Sequence, residues 1–182
     1  MRIIGGAFKS RIFKPGKNFK ARPTTDFARE NLFNILINRY DLENKKILDL
    51  FSGTGSISFE FASRGCQNVT SIELDRFHYQ FICTVIEKLE IKRFVKALNV
   101  DAFKFIDRSP EVYNLIFADP PYELSRISEI PDLILNSNLL HNEGLFILEH
   151  GKTNDFSSNP YFRELRKYGS VHFSFFSRID LK

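Results

Sequence analysis

From Lys45 onward the chain alternates short apolar runs with longer amphipathic ones, and this alternation restricts the fold more than any other feature. Residues 47–50 (Ile-Leu-Asp-Leu) have the length and composition of a buried strand. A glycine-rich turn follows, then a helix through Phe59 and Ala62 that Gly65 stops. Residues 69–73 predict a second strand, 75–89 a long helix and 94–100 a third strand. Asp101 opens a short helix that closes before Ser109-Pro110, and residues 113–118 form a fourth strand running directly into Asp119-Pro120-Pro121-Tyr122. A helix over 130–140 and a fifth strand over 145–149 complete the series. Strands separated by crossover helices are parallel and right-handed, so the expected architecture is α/β, an open and mostly parallel sheet with helices on both faces. Ligands of such sheets bind outside the carboxyl ends of the strands, and the polar motifs of this sequence fall at those ends.

Two hairpins flank this region. Residues 2–4 and 11–13 surround a Gly5-Gly6 turn, and Pro15-Gly16 ends the pair; residues 161–168 and 171–176 surround Gly169. Between the first hairpin and Lys45, Thr25 caps a helix whose first turn carries Asp26 and whose apolar face is Ala28, Leu32, Ile35 and Leu36. The 182 residues suffice for one well-buried domain. They divide into a basic N-terminal arm, 1–22, and a main domain, 23–182, expected to act as a monomer.

Charge points to an anionic partner. The net charge is +4, and Arg2, Lys9, Arg11, Lys14, Lys17, Lys20 and Arg22 all precede the first acid, Asp26. Phe8, Phe13 and Phe19 are interleaved with them, a pattern suited to nucleic acid, since lysine and arginine release counterions from phosphates. Cys66 and Cys83 lack metal spacing and fit small hydrophobes of a reducing cytosol. His78, His141, His150 and His172 form no metal or triad spacing, so no metal is expected and they are taken as surface or packing residues. With no signal-like or membrane-spanning apolar run, the expected location is cytoplasmic.

Asp49-Leu50-Phe51-Ser52-Gly53-Thr54-Gly55 joins the first strand to its helix. Gly53 and Gly55 allow a tight turn and close backbone approach to a ligand. A dinucleotide fingerprint needs a third glycine three positions after Gly55, where Ser58 stands, so the ligand is expected to lack a pyrophosphate. Glu73 ends the second strand twenty residues past Gly53, where a carboxylate accepts ribose hydroxyls. Asp101, after the third strand, can bond a base amino group, cap a helix, or do both. Asp49 places a carboxylate where it favours a cationic ligand group.

These residues, with Asp119-Pro120-Pro121-Tyr122, resemble the amino-methylating branch of class I methyltransferases, a Rossmann-like fold. Met1-Arg2-Ile3-Ile4-Gly5-Gly6 and the run Ala21-Arg22-Pro23-Thr24-Thr25-Asp26-Phe27-Ala28-Arg29-Glu30-Asn31-Leu32-Phe33-Asn34 are similar to the RsmD family of bacterial 16S ribosomal RNA guanine N2-methyltransferases. The resemblance runs from Met1 to about Glu149. It implies a seven-stranded sheet, S-adenosylmethionine as methyl donor, and one modified guanine of 16S rRNA, in a small ribosomal subunit or an assembly intermediate. It implies cofactor contacts at Asp49, Phe51, Gly53, Gly55, Glu73, Asp101 and Ala102, with Arg22, Thr24 and Thr25 closing over the methionine end; Thr25 is equally a helix cap. Ser52 and Thr54 depart from the more usual Ala and Ser, at positions where the backbone makes the contacts.

The chemistry follows from the tetrad. An aromatic amine is a poor nucleophile because its lone pair is delocalised into the ring. The Asp119 carboxylate and the Pro120 carbonyl can accept its two hydrogens and align the lone pair with the methyl group. Consecutive prolines stiffen the loop, and Tyr122 offers a ring on which a base that has left its helix can stack. Asp119, Pro120 and Tyr122 are therefore the expected catalytic residues, and Pro121, Arg2, Lys9, Arg11 and Arg22 the expected RNA contacts. The tetrad alone also suits a DNA adenine N6-methyltransferase, although 182 residues leave little room for a separate recognition region. A protein glutamine methyltransferase would carry Asn in place of Asp119. A non-catalytic RNA-binding assembly protein would not need the intact acidic and glycine positions.

Overall fold

A computed structural model describes residues 1–16 and 25–181. The elements run α1 (Asp26–Arg39), β1 (Lys46–Leu50), α2 (Ser56–Ser63), β2 (Asn68–Glu73), α3 (Arg76–Leu89), β3 (Val95–Asn99), α4 (Ala102–Arg108), β4 (Tyr113–Ala118), a 3-10 turn (Ile127–Glu129), α5 (Ile130–Leu135), β5 (Leu140–His150), β6 (Phe162–Tyr168) and β7 (Val171–Phe176). The seven strands form one sheet in the order β3-β2-β1-β4-β5-β7-β6. The first five are parallel, and the closing hairpin adds β7 and β6 antiparallel.

Successive strand residues face opposite layers, so each central strand serves two cores. Leu115 and Phe117 of β4, with Leu145 and Ile147 of β5, pack into one core with Leu32, Phe33, Phe61 and Ile82 from α1, α2 and α3. Ile116 and Ala118, with Phe146 and Leu148, enter the other core with Ile106, Ile130 and Ile134 from α4 and α5. Continuous apolar runs such as residues 145–148 thus mark strands covered on both faces.

Two boundaries differ by five residues from those expected, the others by at most one or two. α5 stops at Leu135 instead of reaching residue 140, because Asn136 and Ser137 favour side-chain bonds to backbone over further helix; the Ser137 hydroxyl donates to the Ile134 carbonyl at 2.8 Å. The strand then begins at Leu140, five residues early. Its pairing steps from Tyr113↔Leu140 to Leu115↔Leu145, and the bulge absorbs the polar stretch 141–144.

The expected N-terminal pairing is present as a single antiparallel bridge, Arg2↔Ile12. Residues 5–10 turn onto α2 instead of extending a ladder. Ile3 is buried, the Ile4 amide donates to Glu60 Oε1 at 2.6 Å and the Ala7 amide to the Ser63 carbonyl at 2.7 Å. At Gly6, with φ +75°, a Cβ would collide with the Ser63 carbonyl oxygen, so this approach requires glycine. Beneath it lies a buried ionic group: Arg29 is bonded by Asp26 and the Arg2 carbonyl at 2.7 Å each, and Glu60 stands between Arg29 and Arg64. Lys17, Lys20, Arg22 and Thr24 lie outside the described residues.

Candidate active site

β1 lies between β2 and β4, so the chain leaves the sheet in opposite directions on its two sides, and a crevice opens at the carboxyl ends of these strands. A cleft of about 780 Å³ occupies it. The turn after β1 supplies one wall. Phe51, Gly53 and Gly55 have φ of +58°, +54° and +71°, so the backbone enters the left-handed region three times in five residues. A Cβ on Gly55 would come within 2.8 Å of Phe59 Cε2 and 3.1 Å of Ile82 Cγ1; one on Gly53 would meet nothing within 4 Å. Gly55 therefore lets the turn sit against α2 and α3, whereas Gly53 presents bare backbone to the cleft.

Acidic groups line the same crevice. Glu73 accepts from the Gly53 amide through Oε2 and from the Asp75 amide through Oε1, each at 2.7 Å. It braces the glycine turn against the start of α3, and each oxygen retains a second lone pair for a ligand hydroxyl. Asp49 is buried and accepts from the Ser58 hydroxyl at 2.6 Å and the Ser58 amide at 3.1 Å. Burial pushes its pKa up to about 7 against the partial relief of these bonds. Asp101 caps α4 by accepting from the Lys104 amide at 2.9 Å, and it also lines the cleft. Thr25 likewise does both: it accepts from the Ala28 amide at 3.2 Å and borders the cleft.

The Asp-Pro-Pro-Tyr loop leaves β4 on the other side of the crevice. Its amide at Asp119 donates to the Leu50 carbonyl at 3.3 Å, tying the loop to the end of β1. Pro120 is buried, Pro121 exposed, and all four residues line the cleft. The Tyr122 hydroxyl donates to Glu149 Oε1 at 3.1 Å.

A family model described as "Conserved hypothetical protein 95" matches residues 1–177. Ribosomal RNA small subunit methyltransferase D of Escherichia coli K12 is 30% identical over 160 residues, 88% of this chain and 79% of that protein. The chain belongs to the RsmD family. Another relative, Ribosomal RNA small subunit methyltransferase D of Buchnera aphidicola (strain Bp), is 27% identical across 99% of this chain and 93% of its own. Among solved structures, the putative methyltransferase yhhF from Escherichia coli superposes with a TM-score of 0.83 at 29% identity, covering 99% and 98% of the two chains.

The residues of this RsmD-family chain fit S-adenosylmethionine. The cleft's volume falls in the roughly 300–1,000 Å³ range of cofactor sites. Glu73 suits ribose hydroxyls, Asp101 the adenine amino group, Asp49 the cationic methionine end, and the bare backbone at Gly53 allows close approach. Ala102 is buried and lines the cleft, and the ring of Phe51 meets Phe103 edge-on, with centroids 5.9 Å apart. Among the described residues no group of three or more His, Cys, Asp or Glu is placed to hold a metal ion. No described helix is long and apolar enough to cross a membrane.

The crevice thus gathers Asp49, Phe51, Gly53, Glu73, Asp101, Ala102, Thr25, Asp119, Pro120, Pro121 and Tyr122, with Gly55 shaping the turn from behind. Arg2, Lys9 and Arg11 lie on the exposed N-terminal segment and do not line it: Arg2 pairs with Asp26 at 2.8 Å, and Arg11 sits 5.4 Å from the Phe8 ring centroid. Arg22 falls outside the described residues. Sequence reasoning missed Glu149, Phe103 and His78, all of which line the cleft. Glu149 could have been found by the same signal as Glu73, an acid at the carboxyl end of a parallel strand.

Proposed function

We propose that the chain transfers a methyl group from S-adenosylmethionine to the exocyclic N2 amino group of a guanine in 16S ribosomal RNA. Its substrate is the RNA of a small ribosomal subunit or assembly intermediate, and it acts as a cytoplasmic monomer. The observation that carries this reading is the placement of Asp119-Pro120-Pro121-Tyr122 on the same cleft as the glycine turn and Glu73. The residues read as amine acceptors and those read as nucleoside contacts therefore border one cleft. The relatives named for small-subunit rRNA methylation support the choice of substrate.

The bound cofactor supplies an electrophilic methyl group. The protein's part is to make a weak nucleophile react. A guanine that has left its helix rests against Tyr122, while the Asp119 carboxylate and Pro120 carbonyl accept the two amino hydrogens and turn the lone pair toward the methyl carbon. The amine becomes strongly acidic only as the new bond forms, so Asp119 need not be a strong base beforehand; the proton the nitrogen then sheds leaves along its hydrogen bond to the Asp119 carboxylate or to solvent. Pro121 borders the base, and the basic segment 1–22, through Arg2, Lys9, Arg11 and Arg22, holds flanking phosphates while residues 23–182 carry the chemistry.

The test is a labelled-methyl assay with undermethylated small subunits, free 16S RNA, DNA and protein offered separately. Label entering RNA in the subunit or free form supports the proposal. No transfer to RNA in any assembly state ends it.

A further inference from the structure

We propose that Glu149 and Gly151, at the end of β5, form a seat that fixes the ring of Tyr122, making Glu149 a positioning residue for the stacked base. The proposal rests on the reading that a base enters this cleft. Glu149 is only 2% exposed yet lines the cleft, and it accepts the Tyr122 hydroxyl proton at 3.1 Å. Two residues further on, a Cβ built on Gly151 would lie 3.1 Å from Tyr122 Cδ2, 3.5 Å from Cε2 and 3.7 Å from Cγ. One strand end thus bonds the tyrosine's hydroxyl and closely backs one side of its ring, and a Cβ at 151 would require the ring to give by a few tenths of an ångström. The ring itself comes from a loop and is 38% exposed, so without such a hold its position would vary.

The residue between them is fixed as well. His150 is fully buried, with Nδ1 2.8 Å from the Gly151 carbonyl oxygen and Nε2 2.8 Å from Ser174 Oγ. A carbonyl only accepts, so Nδ1 carries the proton and Nε2 accepts from the Ser174 hydroxyl. The imidazole therefore locks the Gly151 peptide to β7, and with it the floor under the tyrosine. Glu149, His150 and Gly151 act as one unit: an acceptor, a brace and a gap of the right size. What they contribute to the reaction is alignment, since an amine displaced from the line of attack by an ångström reacts far more slowly.

The experiment is a double-mutant cycle on methyl transfer to undermethylated small subunits, using Glu149→Ala, Tyr122→Phe, the pair, and Glu149→Gln. Each single variant should lower kcat by roughly tenfold to a hundredfold. The pair should be no worse than either single variant, because both remove one bond. Glu149→Gln, whose amide oxygen still accepts from the hydroxyl, should recover most of the rate, and S-adenosylmethionine affinity should stay unchanged throughout. Losses that multiply in the pair would overturn the proposal, as would a Glu149→Gln variant as slow as Glu149→Ala. A second measurement needs no substrate: carbon-13 NMR of labelled tyrosine rings, with Tyr122 assigned from Tyr122→Phe. Ring signals that shift and average in Glu149→Ala support the seat, and unchanged signals refute it. If the unaltered chain methylates no RNA, the proposed function fails while the NMR comparison still decides the seat.

Discussion

Replacing Asp49 with Asn removes a buried charge while leaving an acceptor for Ser58. Burial raises this carboxyl from its ordinary 3.8 to about 7, a cost on the order of 4 kcal/mol for the ionised form at 1.36 kcal/mol per unit of pKa. The sign follows from which state binds the proton. Below about pH 4 the carboxyl is protonated in both folded and unfolded chains and costs nothing. From about pH 4 to 7 the unfolded chain ionises it and the folded chain does not, so stability falls as pH rises; above about pH 7 the penalty is complete. Other titrating groups are common to both proteins and cancel in the difference. Urea unfolding of both proteins at about pH 4.5 to 8 should show Asp49→Asn gaining on wild type through this window, with the gap level thereafter. Cofactor binding should show the opposite preference: wild type binds S-adenosylmethionine more tightly as pH rises through about 7, because the cation favours the carboxylate, and Asp49→Asn binds weakly at every pH. Parallel stability curves would refute the assignment of the shift to burial, and equal pH dependence of binding would remove Asp49 from the cationic end of the site.

Asp119→Ala should abolish methyl transfer while S-adenosylmethionine binding, measured by calorimetry, largely survives; normal turnover would remove Asp119 from catalysis. Gly55→Ala forces a methyl group to 2.8 Å from Phe59 Cε2 at φ +71°, and should cost about 1–3 kcal/mol in urea unfolding with weaker cofactor binding. Glu60→Ala leaves the buried arginine side of the Arg29–Glu60–Arg64 group without its shared carboxylate and should lower stability by about 3–5 kcal/mol; a loss below about 1 kcal/mol would mean that the arginines reorganise. Lys9→Ala with Arg11→Ala alters two exposed cations without uncovering Ile3, and should reduce the salt slope of RNA binding by roughly 1–2; an unchanged slope would make this segment purely structural.

How far the sequence reveals this molecule depends on the range of the interactions involved. Strand and helix alternation is local, and residues such as 115–118 and 145–148 announce a doubly covered sheet by composition alone. The glycine turn, Glu73 and the tetrad are legible because each sits at a strand end, where topology brings them together without knowledge of side-chain packing. The end of α5 is not legible because Leu139, four residues after Leu135, keeps helical spacing, while the bulge at 141–144 arises from pairing with β4. The basic segment looks like a detached arm in sequence, since nothing local to Ile3 or Gly6 discloses that α2 lies beneath them. Glu149 is legible as an acid at a strand end, but its bond to Tyr122, which spans 27 residues, is not. Long-range polar contacts of this kind leave no periodic trace.

The proposed reaction delivers the methyl group to a guanine amino group of 16S RNA in the cleft beside Asp119. Its most direct test is nucleoside mass spectrometry of undermethylated small subunits incubated with the chain and S-adenosylmethionine, with Asp119→Ala as control. One N2-methylguanosine per 16S RNA, present with the unaltered chain and missing with the variant, is the predicted result. Methyl groups found only on adenine, or only on DNA or protein, would contradict the account.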